Sequence, residues 1–187
     1  MIKNLIRTAL LLAGTALITP AAPILSITPS ANNVLVGNTF SLFLSIASVT
    51  DLFGWQVDID FGPAGLLHAL PTITEGGFLG GGTSGITGTI DNGTATILAM
   101  ANSLTGVTGV SGSGVLAQIS FSAMAIGNAI ISISNVQLLD SNLDSIFPDP
   151  SVSATVNISA RSGIPEPSTF VLLSLGVAVG AIRRRRV

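Results

Sequence analysis

The sequence predicts an all-β sandwich of eight or nine strands, preceded by a secretory signal peptide and followed by a short hydrophobic helix. Between Pro23 and Gly163, apolar residues alternate with Ser, Thr, Gly and Asn at a period of two, the spacing of half-buried strands. Glycine-rich turn signals separate those runs. Long apolar runs occur at the two chain ends, so the strongly positive mean hydropathy belongs to the ends and the middle reads as globular.

The N-terminal residues 1–21 form the expected signal peptide. Lys3 and Arg7 supply its charged start, Thr8–Ile18 its apolar core, and Thr19–Ala22 a small-residue exit with cleavage after Ala21. Such a segment addresses the chain to the Sec translocon. Residues 22–160 form the body. It opens with a strand at Ile24–Thr28, followed by Asn38–Ala47, where Phe40, Leu42, Leu44 and Ile46 share one parity. In the next strand, Phe53, Trp55, Val57, Ile59 and Phe61 alternate with Gly54, Gln56, Asp58 and Asp60, which assigns Trp55 to the core. Further strands are expected at Gly85–Ile90, Thr94–Ala101, Val115–Ala123, Ala129–Leu138 and Val152–Ser159. Asp91-Asn92-Gly93 signals a hairpin, with Asn-Gly at the two positive-φ turn positions. Leu66–Leu70 reads as a single helical turn.

The tail, residues 161–187, passes through three environments in order. Pro165-Glu166-Pro167 cannot sustain a helix and keeps an extended, accessible backbone. Phe170–Ile182 is uncharged and apolar, but as a helix it rises only about 20 Å against a hydrocarbon core of about 30 Å. Arg183, Arg184, Arg185 and Arg186 form a cytoplasmic stop. A span this marginal suits a processed signal resident in the inner membrane for a time better than a permanent anchor.

Charge and composition exclude several functions. The body carries eight acids against Arg161, a net charge of −7 between Pro23 and Gly163. Nucleic-acid binding, which neutralises phosphates with Lys and Arg, is excluded. The chain has no Cys or Tyr, the body has no Lys, and His68 is the one histidine. Nucleophilic triads, Schiff-base chemistry and histidine metal sites therefore lack their parts, and a non-enzyme is expected. With no cysteine available for a disulfide, the core must hold the exported fold alone; about 140 residues suffice for that.

The order Pro165-Glu166-Pro167, then Ser168, hydrophobic helix and arginine cluster resembles the PEP-CTERM sorting signal of exported Gram-negative proteins. The resemblance implies recognition at Pro165-Glu166-Pro167 by exosortase, a membrane-embedded transpeptidase-like enzyme. It also implies delivery to the cell surface or extracellular matrix, alongside exopolysaccharide production or adhesion. In the body, ILSITP (Ile24–Pro29) and VGNTFSL (Val36–Leu42) look like the opening strands of cohesin domains. FGWQVDIDF (Phe53–Phe61), running into Gly62-Pro63, is similar to a later cohesin strand and its turn, and GVLAQISF (Gly114–Phe121) resembles another. This likeness implies a cohesin-like jelly-roll β-sandwich, related in architecture to cellulose-binding modules. Cohesins bind calcium-loaded dockerins through one sheet face. A single copy on a PEP-CTERM chain does not carry a cellulosome role with it.

Several residues are candidates for a ligand. Asp140, Asn142 and Asp144 place side-chain oxygens at alternating positions, which suits a hard cation such as calcium. Ser145 and Ser151 stand where an EF-hand needs Gly and Glu, so an Asx-turn loop is the plainer reading. Phe43, Phe78 and Phe147 are candidate platforms for a sugar, with a carbohydrate-binding module as the alternative function. Asp58 and Asp60 stand about 6.6 Å apart along one strand face. A glycosidase pair could use that spacing, but a solvated outer face is favoured. His68 is expected to be a partly buried structural residue.

Overall fold

The structure, a computed structural model, describes residues 22–161. The signal peptide, the Pro165-Glu166-Pro167 motif, the hydrophobic helix and Arg183–Arg186 lie outside the described residues. Eleven strands form: β1 (Ile24–Pro29), β2 (Asn33–Leu35), β3 (Thr39–Asp60), β4 (Leu67–Glu75), β5 (Thr87–Asp91), β6 (Thr96–Ser103), β7 (Val110–Ala123), β8 (Gly127–Asp140), β9 (Ser145–Ile146), β10 (Asp149–Val152) and β11 (Ala154–Ser159). Three of them, β2, β9 and β10, have four residues or fewer. Eight longer strands remain, or nine if β3 is counted once in each sheet. No helix among the described residues is long and apolar enough to cross a membrane.

β3 is the spine of the sandwich. Its first half pairs with β1 on one side and β7 on the other, and its second half pairs with β6 and β8. One sheet therefore runs β10-β1-β3-β7-β4, and the other runs β5-β6-β3-β8-β11-β2. The crossing is made at two bulges, where Ser48 and Asp51 both adopt φ near 57°. A bulge bends its strand and leaves backbone donors without ladder partners. Here Ser113 Oγ accepts the Ser48 N–H at 3.0 Å and Ser111 Oγ accepts the Asp51 N–H at 2.9 Å. The expected strands Asn38–Ala47 and Phe53–Phe61 are thus one bent strand.

Parity sets the core. Leu42, Leu44 and Ile46 face Trp55, Val57 and Ile59 across the sandwich, joined by Ile97, Met100, Ile119, Phe121 and Ile131, all buried. Full burial of each large side chain contributes about 1.5–3 kcal/mol. Phe121 anchors one end, stacked on Phe40 at 5.6 Å and edge-on to Phe61 at 5.1 Å; such ring pairs add about 0.5–1.5 kcal/mol beyond area.

Two local expectations are corrected. Leu67–Leu70 begins strand β4, not a helical turn, because Leu67 and Ala69 turn inward and pair with Ala123 and Phe121 of β7, while Leu66 closes the preceding turn. The Asp91 hairpin joins β5 to β6 as expected, but by a four-residue loop, with Ala95 taking the positive φ of 57°. Asp91 Oδ1 accepts the N–H groups of Gly93 (2.8 Å) and Thr94 (3.3 Å), an Asx turn that removes the need for positive φ at Asn92 or Gly93.

Candidate functional site

The outer face of the second sheet carries a groove. Side chains opposite in parity to Trp55 point away from the core there. Gly54 sits between Ser103 of β6 and Leu139 of β8, and Gln56 sits between Ala101 and Gln137. With no side chain at Gly54, a groove of about 300 Å³ opens, edged by Gln56, Gln137, Ser84, Thr87 and Ser103. A Cβ at Gly54 would meet Ser103 Cβ at 3.3 Å and begin to fill the floor. The lining carries no charge and mixes amide and hydroxyl groups with apolar surface from Ala101 and Leu139, so the groove suits a neutral ligand with both polar and apolar faces. The sequence exposed Gly54 and Gln56 by parity. The contribution of β8 and of the Ser84–Thr87 segment depends on the sheet order, which no local pattern carries.

Asp58 and Asp60 lie on the same face, and both carboxylates are engaged. Asp58 Oδ1 accepts the Ala99 N–H at 2.6 Å and Oδ2 accepts Asn135 Nδ2–H at 3.1 Å. Asp60 Oδ2 accepts the Ser134 hydroxyl at 3.0 Å. Ala99 and Asn135 both have positive φ and stand at the irregularities where β6 and β8 slip against β3. Asp58 thus ties two bulges into the sheet, the work of a structural group more than of a general acid.

The aromatic candidates are placed apart. Phe43 is half-buried on the outer face of the first sheet, between Thr28 and Gln118. Phe78 packs on the core and covers Gly114, where a Cβ would come within 2.8 Å of its ring. Phe147 is 81 % exposed in the link from β9 to β10. The ring–ring contacts among the described residues involve none of the three.

In the 140–144 loop, Asp140 Oδ1 accepts the N–H groups of Asn142 (2.8 Å) and Asp144 (2.9 Å), and Leu143 takes a φ of 67°. The loop is therefore closed by an Asx turn, with Asp140 Oδ2 outside those bonds. No cluster of three His, Cys, Asp or Glu side chains suited to a metal occurs among the described residues. His68 is exposed on β4 rather than partly buried, with Nε2 3.4 Å from Asn92 Nδ2.

Asp51 is the most engaged carboxylate. It accepts the Ser141 hydroxyl at 2.6 Å, the Ser141 N–H at 3.3 Å and the Gly109 N–H at 2.9 Å. The Ser141 hydroxyl, with smaller help from the backbone donors and against some burial, holds its pKa below the ordinary value. It pins the β3 bend to the ends of β7 and β8.

Comparison with known proteins agrees with this architecture. The cohesin domain family matches residues 25–158, and the PEP-CTERM protein-sorting motif matches residues 163–186. No curated protein sequence matches the chain. Among solved structures, a second type II cohesin module from the adaptor ScaA scaffoldin of Acetivibrio cellulolyticus superposes with a TM-score of 0.66 at 17 % identity, covering 81 % of this chain and 98 % of that one. A non-cellulosomal cohesin from the archaeon Archaeoglobus fulgidus gives 0.62 at 12 % identity, covering 76 % and 94 %. A cohesin from a type I cohesin–dockerin complex of Clostridium thermocellum gives 0.62 at 15 % identity, covering 74 % and 100 %. The chain belongs to the cohesin domain family, a family of non-catalytic interaction modules, and its PEP-CTERM motif marks it as an exported protein sorted to the cell surface.

Proposed function

We propose that this protein is a non-enzymatic adaptor of the cell surface or extracellular matrix in a Gram-negative bacterium, acting in exopolysaccharide assembly or adhesion. It leaves through the Sec translocon and pauses in the inner membrane with Arg183–Arg186 inside. An exosortase-type enzyme then cuts it near Pro165-Glu166-Pro167. The observation that carries this reading is the joining of a cohesin body, poor in catalytic side chains, to a sorting tail at residues 163–186. The body's partner docks on the outer face of β5-β6-β3-β8, around Gly54, Gln56 and Gln137. Capture of extracellular polymer and protein from the parent cells on the full exported protein tests this. A Gly54→Arg variant, whose side chain would fill the groove and whose folding is checked by its melting curve, is expected to lose the capture. Equal capture by both proteins would remove that face from the account.

A carbohydrate ligand is the second reading, favoured by an uncharged groove that sets amide and hydroxyl groups beside the apolar surface of Ala101 and Leu139. Such groups suit sugar hydroxyls, and glycan arrays discriminate the two. Binding of a purified neutral glycan, lost in Gly54→Arg, makes the protein a carbohydrate-binding module; capture of protein alone makes it a protein adaptor.

A further inference from the structure

The end of the sandwich from which the tail departs carries a different surface. Ser159 of β11 pairs with Leu35, Gly37 N–H donates to Ala123 O, and β7 turns into β8 through Met124-Ala125-Ile126. Exposed turns are ordinarily built from Gly, Asn, Asp, Ser and Pro. This one is wholly apolar, with Met124 55 % and Ile126 65 % exposed. Beside it, Val36, Ala160 and Arg161 complete a concavity of about 420 Å³.

All eight acids of the body lie off this concavity, five of them at the far end. Asp51, Glu75, Asp140, Asp144 and Asp149 sit toward the opposite end, as the pairings of Leu52 with Asp140, Ala117 with Glu75 and Ile24 with Asp149 require. Asp58 lies on the second sheet, and Asp60 and Asp91, both opposite Thr96, lie toward the tail end of that sheet. The one cation between Pro23 and Gly163 is Arg161, at the lip of the concavity, its Nη2 donating to Asn38 Oδ1 at 2.9 Å. Eight residues separate Arg161 from Phe170, where the apolar run of the tail begins. Fully extended, they reach at most about 30 Å.

We propose that the Val36–Met124–Ile126–Arg161 concavity seats on the outer leaflet of the inner membrane while the tail is held there, Ile126 and Met124 entering the interface and Arg161 meeting anionic headgroups. The proposal rests on the sorting reading of the tail. Tethering supplies an effective concentration in the millimolar range, so a small apolar patch suffices for a contact that would not form from solution. The groove on β5-β6-β3-β8 stays open to a partner in this pose. Once the tail is cut, the tether is lost and the weak seat releases the body.

The absence of cysteine makes the test direct. The full chain carrying Ile126→Cys or Phe147→Cys, labelled with an environment-sensitive fluorophore, is inserted into phosphatidylethanolamine–phosphatidylglycerol vesicles. Insertion is scored separately by resistance to alkaline extraction. Brominated acyl chains are expected to quench the label at position 126 severalfold more than that at 147, with the reverse order for aqueous iodide. An unlabelled chain gives a second measurement, because Arg161 is the one tryptic site between Arg7 and Arg183. In the inserted chain, trypsin is expected to cut there severalfold more slowly than in Ile126→Asp. An inserted chain with position 126 as open to iodide as 147, and with equal tryptic rates, overturns the seat and leaves the tail reading standing. Shielding from iodide without quenching by brominated lipid means a second copy covers the patch, and also overturns it. A chain that fails to insert overturns both.

Discussion

The side-chain amide of Asn92 pairs with both backbone polar groups of Ala69. Its Oδ1 accepts the Ala69 N–H at 2.7 Å and its Nδ2 donates to the Ala69 carbonyl at 3.1 Å. One hairpin residue from the second sheet thus stands in for a missing strand at the edge of the first. Ala69 is buried, so losing the amide leaves polar groups without partners. Asn92→Ala is expected to cost about 1–3 kcal/mol in urea unfolding. An unchanged midpoint would mean that water replaces the amide and the link is decorative.

Trp55 is 3 % exposed, and its Nε1 has no hydrogen-bond partner among the described residues. The indole therefore stabilises by packing alone. Trp55→Ala is expected to cost about 3–5 kcal/mol, whereas Trp55→Phe, which keeps a ring and discards an unpaired donor, should cost far less. Calorimetric melting of the two variants checks this. A loss below about 1 kcal/mol in the alanine variant would place the ring at the surface.

The Trp55 parity was readable because alternation over nine residues reports one strand face whatever the strand pairs with. The β3 bend was not. Ser48 and Asp51 look like loop residues, and the strand survives there because Ser113 and Ser111, more than fifty positions away, satisfy its backbone. β4 was missed for a related reason. Pro71 lies where β4 and β7 slip register between Ala69 and Ile73, and a bulged edge tolerates a proline that would disqualify a central strand. The groove was half legible: Gly54 and Gln56 by parity, Gln137 and Ser84 by topology alone.

Asp51 gives the stability a pH dependence of defined sign. Its folded pKa lies below the ordinary 3.8, with the Ser141 hydroxyl as the largest cause. Its contribution is therefore present above the unfolded value and is lost as pH falls through the folded one. The native protein is expected to weaken as pH drops below about 4. Asp51→Asn should be less stable at pH 7, with the gap closing at lower pH. A gap that persists unchanged under acid would mean that the carboxylate charge contributes nothing.

For the 140–144 loop, whose plainer reading is an Asx turn, calcium is the alternative we propose to test, with Asp140, Asn142 and Asp144 as its oxygen donors. Asp140 Oδ1 is already committed to the backbone N–H groups of Asn142 and Asp144, so a cation would have to use Oδ2. Bound calcium raises the melting temperature in proportion to its occupancy. The proposal requires a rise at millimolar calcium that chelator reverses and Asp144→Ala abolishes; a flat response ends it.

The mass of the exported protein tests the central claim most directly. Native protein is expected to appear outside the inner membrane without Arg183–Arg186, its C-terminus near Pro167. Replacing Pro165, Glu166 and Pro167 with alanine keeps the apolar run and its arginine stop but removes the extended backbone and the carboxylate. That variant should accumulate uncut in the inner membrane. A mature protein that still carries Arg183–Arg186 would make the tail a plain anchor and contradict the sorting account.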